Sequence, residues 1–292
     1  MDNRKIICTN EDGVSMTFGT LEFTPFVLLS CDGIYSIIND VITTANTMID
    51  GSTYQGSITK MRNIILSIAE KDEHLKNRNL IYELFKPKSP GVFTYYEDDE
   101  IKTINYYVES IDFTQMYRGR IATISLLCPD PFFRDLEDIV VTMAGWSKYW
   151  KFPHKFLDEK EAFGGRIKEM LKEITNESSA DNIGLTITMT AEGNVINPAM
   201  YHVEENKFIK VGTTSNPLNM INGDKVVITT DTNNKKVLLI HEGNTTEINE
   251  YLDDDSDYIQ LQRGKNSLRY AADSGEEYLS VEVAFRYRYL GV

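Results

Sequence analysis

Residues 118–133 read RGRIATISLLCPDPFF, and this stretch decides how the chain is divided. Between Ile121 and Cys128 the residues alternate between two sides of an extended backbone: Ala122, Ile124, Leu126 and Cys128 on one, and Ile121, Thr123, Ser125 and Leu127 on the other. That pattern is typical of a largely buried strand. We therefore predict a largely buried strand here.

Two prolines end this strand abruptly. Pro129 and Pro131 have no amide hydrogen to donate to a sheet, and each disfavours helical backbone in the residue before it. The chain is expected to leave the sheet in an extended run that leads directly into Phe132 and Phe133. We interpret the stretch as the last strand of one domain, a stiff exit, and an apolar plug that packs where a second domain begins. A strand end followed by two ordinary core aromatic residues is the alternative.

Length and composition indicate two globular domains. A chain of 292 residues is long for one all-β unit, and its 41% apolar and 25% charged residues are ordinary for a globular protein. We place the first domain at 1–136 and the second at 137–292, with the junction somewhere in 137–182. The predicted fold class is mainly β with few helices: an α+β first domain and a β-sandwich second domain.

The charge distribution argues against several classes of partner. The net charge of −14 is spread evenly, because residues 1–136 carry 13 basic and 19 acidic groups and the remainder carry 17 and 25. Such a surface repels phosphate backbones, which argues against specific nucleic-acid binding but would suit a surface that DNA slides past. No signal peptide or bilayer-length apolar run is visible, so we expect a soluble chain with no membrane partner. Cys8, Cys31 and Cys128 are isolated, which predicts buried, reduced thiols.

The first domain is predicted to combine short strands with one helix. Residues 6–18 form a hairpin pattern that reverses at Asp12-Gly13. Residues 36–55 show no clear period, which predicts a functional arm or extended loop. Strand character returns at 57–69, where Arg62 falls on the same face as Ile64, Leu66 and Ile68. Residues 74–86 have the apolar spacing of a helix, which Pro87 ends.

The second domain contains many short strands separated by Gly, Asn and Asp turns. Apolar and polar residues alternate from 184 to 190 and, most clearly, from 278 to 289. Residues 166–174 have the pattern of a short helix. Short alternating strands with these turns indicate a β-sandwich of the jelly-roll kind.

Catalytic and metal-binding patterns are not recognisable in this sequence. The four histidines lie in separate predicted elements, and the carboxylates at 97–100 suit a solvated hairpin tip. A calcium loop that began in the acidic run 253–257 would need glycine at its sixth position and a bidentate glutamate at its twelfth, but these positions hold Tyr258 and Gly264. We predict no catalytic residue, no metal and no cofactor. A glycosidase carboxylate pair, defined by separation in space, stays open.

An ordered set of weaker features resembles the phage distal tail proteins of long-tailed phages, in the siphophage tail component family. In the first half these features are Asp50-Gly51 leading to Tyr54, Arg62 with residues 63–66, the helix with Lys86-Pro87, a strand at 92–95, and the strand and exit at 120–133. In the second half they are Ile183-Gly184, Gly193, Asn197-Pro198, Asn222-Gly223-Asp224 and Gly264-Lys265-Asn266. The features span nearly the whole chain, and their order carries the resemblance.

The resemblance implies a structural virion protein that is not an enzyme. Six copies would close into a ring at the distal end of the tail tube, with the first domain in the ring and a galectin-like second domain projecting outward. The ring would be the hub for baseplate or tail-tip assembly and host attachment. Implied partners are the tail tube protein, the tape measure protein, the tail-associated lysin or hub protein, and receptor-binding or other baseplate proteins. The implied location is the virion tail tip, with the host cytoplasm during assembly.

The same resemblance supplies a candidate interface. An arm and strand ends could pair with an identical neighbour, and a head-to-tail contact whose rotation closes gives a ring without free edges. An acidic lumen would also keep DNA from adhering to such a ring. The candidate interface residues are Asp50, Gly51, Tyr54, Arg62, Pro129, Pro131, Phe132 and Phe133.

Two other functions stay open. A carbohydrate-binding module that attaches a virion or a secreted enzyme to the bacterial cell wall would use the sandwich, its tyrosines, Trp146 and Trp150. A wall-degrading hydrolase has only the abundance of carboxylates in its favour.

Overall fold

The computed structural model describes residues 5–19, 25–45, 50–70, 74–98, 100–116, 119–148 and 164–292. The chain forms two compact units. One contains Met1–Leu136 together with Arg288–Val292, and the other contains Glu137–Tyr287. The described residues are mainly strands with one α-helix, which confirms the predicted fold class. Within the described ranges, the helix is too short and too polar to cross a bilayer.

Up to residue 136, the described part of the first unit contains ten strands and one helix. They are β1 (Lys5–Asn10), β2 (Ser15–Gly19), β3 (Phe26–Asp32), β4 (Asn39–Ala45), β5 (Ser52–Thr59), β6 (Arg62–Glu70), α1 (His74–Leu84), β7 (Pro90–Glu97), β8 (Glu100–Met116), β9 (Gly119–Cys128) and β10 (Phe133–Asp135).

One antiparallel sheet organises the first unit. Its order is β2-β1-β7-β8-β9-β6-β3, and β10 pairs with the first part of β8. Strands β4 and β5 pair only with each other among the described residues. The predicted opening hairpin, the helix after residue 74 and the strand at 121–128 are all confirmed.

Local sequence explains the first hairpin. Gly13 has a φ of 81°, which glycine adopts without strain. The side-chain oxygen of Asn10 accepts hydrogen bonds from the amides of Asp12 and Val14 at 3.1 and 2.9 Å. These contacts fix the reversal between β1 and β2, because they satisfy backbone donors that the sheet does not reach.

The core of the first unit lies against the inward faces of β6 and β9. On β6 the buried positions alternate from Arg62 through Ile64, Leu66 and Ile68. Phe133 belongs to the same core, is fully buried, and packs edge-to-face on Phe93 at 6.4 Å. Phe133 is therefore a core residue of the first unit, which corrects the interpretation of a plug that packs where a second domain begins.

In its described residues, 137–148 and 164–287, the second unit contains fourteen strands and two short 3-10 helices, at Asn249–Tyr251 and Glu276–Tyr278. The strands are β11 (Ile139–Lys148), β12 (Gly164–Lys168), β13 (Leu171–Asn176), β14 (Asn182–Ile183), β15 (Thr186–Ala191), β16 (Val195–His202), β17 (Lys207–Lys210), β18 (Asn219–Met220), β19 (Lys225–Asp231), β20 (Asn234–His241), β21 (Asn244–Glu247), β22 (Leu261–Gln262), β23 (Gly264–Ser274) and β24 (Leu279–Phe285).

The second unit is a sandwich of two antiparallel sheets. One has the order β12-β11-β24-β15-β19-β20-β21, and the other has the order β13-β23-β16-β17 with β18 added to β16. Apolar side chains from both sheets form one buried cluster, which includes Ile187, Val283 and Leu268. The helix predicted at 166–174 is wrong: β12 pairs with β11, and β13 pairs with β23. Pairing with these distant strands outweighs the local helical spacing.

The chain returns to the first unit after β24. Strand β25 (Arg288–Tyr289) pairs antiparallel with β10, with Phe133 opposite Tyr289 and Arg134 opposite Arg288. The single strand predicted over 278–289 therefore ends at Phe285, and the last part of that alternation belongs to a different sheet. The first unit is discontinuous in sequence, since the second unit is inserted between β10 and β25.

Candidate assembly site

The hairpin of β4 and β5, called the arm below, exposes an unusual amount of apolar surface. Every residue of β4 is exposed, and β5 is nearly as open. On the arm, the exposed fractions are 60% for Val41, 51% for Ile42, 62% for Tyr54 and 64% for Ile58. Residues 36–55, predicted to be an irregular arm or loop, therefore include most of a regular hairpin; Met48 and Ile49 lie outside the described residues.

The apolar side chains lie on both faces of the arm. The register places Ile42 opposite Gly56, so Ile58 is a diagonal neighbour of Ile42 on the same face. Val41, opposite Ser57, lies on the other face. The hydroxyl of Tyr54 donates a 3.0 Å hydrogen bond to the Ser57 hydroxyl, which places the tyrosine beside Val41 rather than beside Ile42.

An isolated hairpin with two apolar faces is not self-sufficient. A two-stranded hairpin is marginally stable in water, and contiguous exposed apolar surface marks an interaction site. Within the described residues, the arm is braced mainly at its base, where the Lys60 amide donates a 2.8 Å hydrogen bond to the Ile38 carbonyl. The Lys60–Asp40 ion pair at 2.8 Å is exposed and adds little. Among the residues that the structure describes, the arm is the best candidate for a protein contact.

The root of the arm consists of residues 33–38, which precede it, and residues 60–62, which follow it. Arg62 lies inside the first unit, is 4% exposed, and holds these two segments together. Its guanidinium donates hydrogen bonds to the carbonyls of Gly33 at 2.6 Å and Ile34 at 2.9 Å, which precede the arm. It also donates to the carbonyl of Pro131 at 2.8 Å and to that of Leu290. Burial lowers the pKa of Arg62 from its ordinary value, and the carbonyls replace lost water.

Further contacts surround this root. The Arg62 guanidinium lies 4.9 Å from the centre of the Phe133 ring. Gly33 has a φ of 89°, and a Cβ at this position would lie 2.0 Å from the Asn63 carbonyl oxygen. The Tyr35 and Tyr95 hydroxyls are hydrogen-bonded at 2.8 Å, which ties the segment that leads into the arm to β7. Both ends of the arm are thus fixed to the sheet.

Charged pairs attach β25 to the rest of the first unit. Asp130 accepts hydrogen bonds from Arg134 at 2.7 Å and from Arg288 at 2.6 Å, and Arg288 lies 4.2 Å from the centre of the Phe132 ring. Lys102 pairs with Asp135 at 2.8 Å and lies over the Tyr289 ring. Burial lowers the pKa of Lys102, but the hydrogen bonds to Asp135 and Tyr289 outweigh it, so that this pKa is raised.

The structure divides the predicted interface residues into two groups. Asp50, Gly51, Tyr54 and Pro129 are exposed, the first three at the arm. Arg62, Pro131 and Phe133 are buried in the first unit, and Phe132 is half-buried beneath Arg288. The second group supports the fold internally in this protomer. The sequence already contained the signal for this assignment, since Arg62 shares a strand face with Ile64, Leu66 and Ile68.

The sequence features of the second unit are hydrogen-bonding centres. Asn266 is fully buried and bonds to His202, to the Gln262 amide and to the carbonyls of Gln262 and Gly264, all at 2.8 Å. Asn197 has a φ of 52° and accepts a 2.9 Å hydrogen bond from the Leu218 amide. These amides shape loops, because they satisfy backbone groups that the sheets leave unpaired.

The described residues contain a small pocket but no recognisable grouping of metal ligands. A pocket of about 220 Å³ lies near β1, β7 and β8, and it is lined by Thr9, Asn10, Glu11, Pro90, Gly91, Val92, Asn105 and Tyr107. Ligand pockets usually measure about 300–1,000 Å³. Over the described ranges, no three His, Cys, Asp or Glu side chains are grouped to hold a metal. Trp150 and His154 lie outside the described residues, as does the Trp146 side chain.

In comparisons with known proteins, this chain is similar to proteins of phage tails and baseplates. Residues 179–289 match the family model of the siphovirus-type tail component, C-terminal domain. The crystal structure of the SPP1 Dit protein (gp 19.1), a paradigm of the hub adsorption apparatus in phages that infect Gram-positive bacteria, has a similar fold, with a TM-score of 0.68 and 13% identity. The similarity covers 97% of this chain and 98% of that one. No curated protein sequence matches this chain significantly.

Structures of a phage baseplate are also similar. A chain of the phage P2 baseplate in its activated conformation with Ca has a TM-score of 0.53 and 10% identity, over 100% of both chains. The corresponding Sr structure gives a TM-score of 0.53 and 10% identity over 99% of both chains. At these identities the similarity shows a shared fold. Together with the family match, it confirms the predicted resemblance to the siphophage tail component family.

Proposed function

We propose, on the premise that residues 179–289 belong to the siphovirus-type tail component family and that the whole chain has the Dit fold, that this protein is a structural hub of a phage tail tip or baseplate. It acts through protein contacts and not through catalysis. Its copies form a ring, six to a ring as the family resemblance implies, at the distal end of the tail tube.

The arm is the observation that carries this proposal. Ile42 and Ile58 on one face, and Val41 and Tyr54 on the other, are all more than half exposed in the single chain. A neighbouring copy that covered them would remove this apolar surface from water, at about 25 cal/mol per Å². If the arm docks on a different part of the neighbouring copy, the contact is head-to-tail, and such a contact gives a ring when its rotation closes. Asp50, Gly51 and Tyr54 lie in this contact.

The test is to place charge on the arm. We expect Ile42→Lys and Ile58→Lys to leave the free energy of unfolding within about 0.5 kcal/mol of the unmodified protein, because both side chains are exposed. We expect the same changes to convert rings into single chains. Leu75→Lys is the matched control, since Leu75 on α1 is 69% exposed and lies outside the arm. Mass photometry and electron microscopy would measure the assembly state.

Two results would reject the proposal. One is an unmodified protein that remains a single chain at high concentration, with no ring in micrographs. The other is arm variants that assemble as well as Leu75→Lys does. A ring disrupted only by the arm variants supports it.

The proposed location of this ring is the virion tail tip, after assembly in the host cytoplasm. The proposed partners are the tail tube protein, the tape measure protein, the tail-associated lysin or hub protein, and receptor-binding or other baseplate proteins. The net charge of −14 supports a lumen that repels DNA. Co-assembly of the purified ring with each candidate partner, followed by mass measurement, would test each contact separately.

A carbohydrate-binding module is the second candidate. Its support is a row across β17, β16 and β23 on the face opposite the core: the Tyr201 and Phe208 rings lie 5.7 Å apart, and the Arg269 guanidinium lies 4.6 Å from the Tyr201 ring. Rings with a polar neighbour are a common sugar-binding arrangement. Titration with wall polysaccharide should then change the intrinsic fluorescence, and Tyr201→Ala should abolish the change. An unchanged signal removes this candidate.

A further inference from the structure

The arm root and the segment Arg288–Val292 meet at one side chain. Arg62 donates hydrogen bonds to the carbonyls of Gly33 and Ile34, which precede the arm, and also to the carbonyl of Leu290. A methyl group built on Gly291 would lie 3.5 Å from the Ile34 carbonyl oxygen. The segment therefore runs directly beside the residues that set the direction of the arm.

This segment reaches the root only after the chain has passed through the second unit. The first unit consists of Met1–Leu136 and Arg288–Val292, with Glu137–Tyr287 between them. Residues 1–136 lack the Leu290 carbonyl, and they also lack β25, which is one of the two strands that pair with β10. In such a chain, part of the buried guanidinium of Arg62 would lose an acceptor.

Several other contacts hold the segment in this position. Arg288 pairs with Asp130, and the Tyr289 hydroxyl donates a 3.2 Å hydrogen bond to Asp135. Val292 packs against the core of the first unit. The contacts of Arg288 and Tyr289 precede Leu290 along the chain and that of Val292 follows it, so the Leu290 carbonyl lies between two anchored stretches of chain.

We propose that the segment Arg288–Val292 is a latch that fixes the arm root through Arg62. The arm is then held in the orientation needed for assembly only when the residues that follow the second unit are in place in the first unit. The proposal rests on the proposed function for the role of the arm in assembly. The latch itself is a property of the single chain. It makes ring formation depend on completion of both units.

Hydrogen exchange measured by mass spectrometry tests the latch in dilute protein that contains single chains only. The reporter peptides are residues 33–38 and 58–62, and the latter contains the Lys60 amide that bonds to Ile38. We expect deletion of residues 288–292, and separately Arg62→Lys, to speed exchange there by on the order of tenfold, because each breaks charge-assisted hydrogen bonds at the root. A lysine cannot span four carbonyls.

Two controls and a double variant sharpen the test. Leu290→Ala keeps the backbone carbonyl that Arg62 binds, and it should leave root exchange unchanged. Arg269→Lys makes the same chemical change at an exposed site in the second unit. The deletion in the Arg62→Lys background should add little to Arg62→Lys alone, since both act through one contact.

The outcomes separate the latch from the ring. Faster root exchange with unchanged protection of β6, β9 and β19 supports the latch, even if no ring ever forms. Root exchange at the unmodified rate in Arg62→Lys, or additive effects of the two changes, overturns it. If the deletion also speeds exchange in β6 and β9, the first unit has unfolded in that variant. The root exchange of Arg62→Lys is then the result that tests the latch. Where rings form, both latch variants should also reduce the assembled fraction.

Discussion

Arg62 lies immediately after the arm, and its guanidinium donates a 2.9 Å hydrogen bond to the carbonyl of Ile34, which lies before it. The two ends of the arm are thereby joined by a side chain that is 4% exposed. The arm itself has no buried face, so its direction is set at this root and not along its length. The buried root thus orients the arm, while the exposed arm is the part that, under the proposed function, contacts a neighbouring copy.

The root requires glycine at position 33. Gly33→Ala would combine a φ of 89° with a Cβ only 2.0 Å from the Asn63 carbonyl oxygen. We expect a loss of at least about 3 kcal/mol in the free energy of unfolding, measured by urea denaturation. Gly13→Ala is the matched control, because Gly13 has a φ of 81° with open space around it. It should cost only about 1 kcal/mol. Equal losses at the two positions would contradict the close approach at Gly33.

The buried amide of Asn266 should be the most sensitive polar site in the second unit. Asn266→Ala removes the side-chain amide that is hydrogen-bonded to His202 and to the carbonyls of Gln262 and Gly264. We expect a loss of about 3 kcal/mol, because unsatisfied buried groups cost about 1–3 kcal/mol each. Asn244→Ala, at an exposed position on β21, should stay within about 0.5 kcal/mol of the unmodified protein. A loss below about 1 kcal/mol at Asn266 would mean that water replaces the amide.

Sequence patterns identified the strands that bury one face against a core. Alternation located β6, β9, β15 and β24, because in each of them the buried positions repeat every second residue. Turn chemistry located the β1–β2 hairpin through Gly13 and the β7–β8 hairpin through its acidic tip, of which Asp99 lies outside the described residues. These signals are local, so one sequence was sufficient.

Other elements depend on partners that a local pattern does not reveal. The arm was expected only as an irregular segment, since hydrophobic alternation requires a buried face and β4 has none. In the predicted helix at 166–174, Met170 and Leu171 are about half exposed while Ile174 is buried, as pairing of β13 with β23 dictates. Alternation through Phe285 and Tyr289 gave no sign that the chain changes sheets between them.

His241 should make the second unit lose stability as the pH rises. Its Nδ1 lies 2.7 Å from a carboxylate oxygen of Asp224, and this hydrogen bond raises the pKa of His241 above its ordinary value of 6.5. A pKa raised in the folded state stabilises the fold fully below the unfolded pKa. The contribution is lost as the pH rises from about 6.5 through the folded pKa.

Urea unfolding at several pH values would measure this effect, together with an NMR titration of the imidazole. His241→Gln is the control, and its stability should lack the component of the pH dependence that falls above about pH 6.5. If the imidazole titrates at or below its ordinary pKa, the ion pair with Asp224 does not persist in solution.

The three thiols should be unreactive while the first unit is folded. Cys8 and Cys128 are fully buried and Cys31 is half-buried. Burial raises the pKa of Cys8 well above its ordinary value, and it raises the pKa of Cys31 and of Cys128 to about 12. A thiol with that pKa is only about 10⁻⁴ thiolate at pH 8, and the thiolate is the reactive form.

A thiol-exchange reagent at pH 8, with the modified sites located by peptide mass mapping, would measure this protection. We expect negligible labelling in native protein and labelling of all three cysteines in urea, where the thiol pKa returns to about 8.5. Cys31 should react first as urea is added, since it is the most accessible of the three on an edge strand, β3. Rapid labelling of Cys8 or Cys128 in the absence of urea would show that the sheet opens on the timescale of the reaction and that β1 and β9 are not its stable centre.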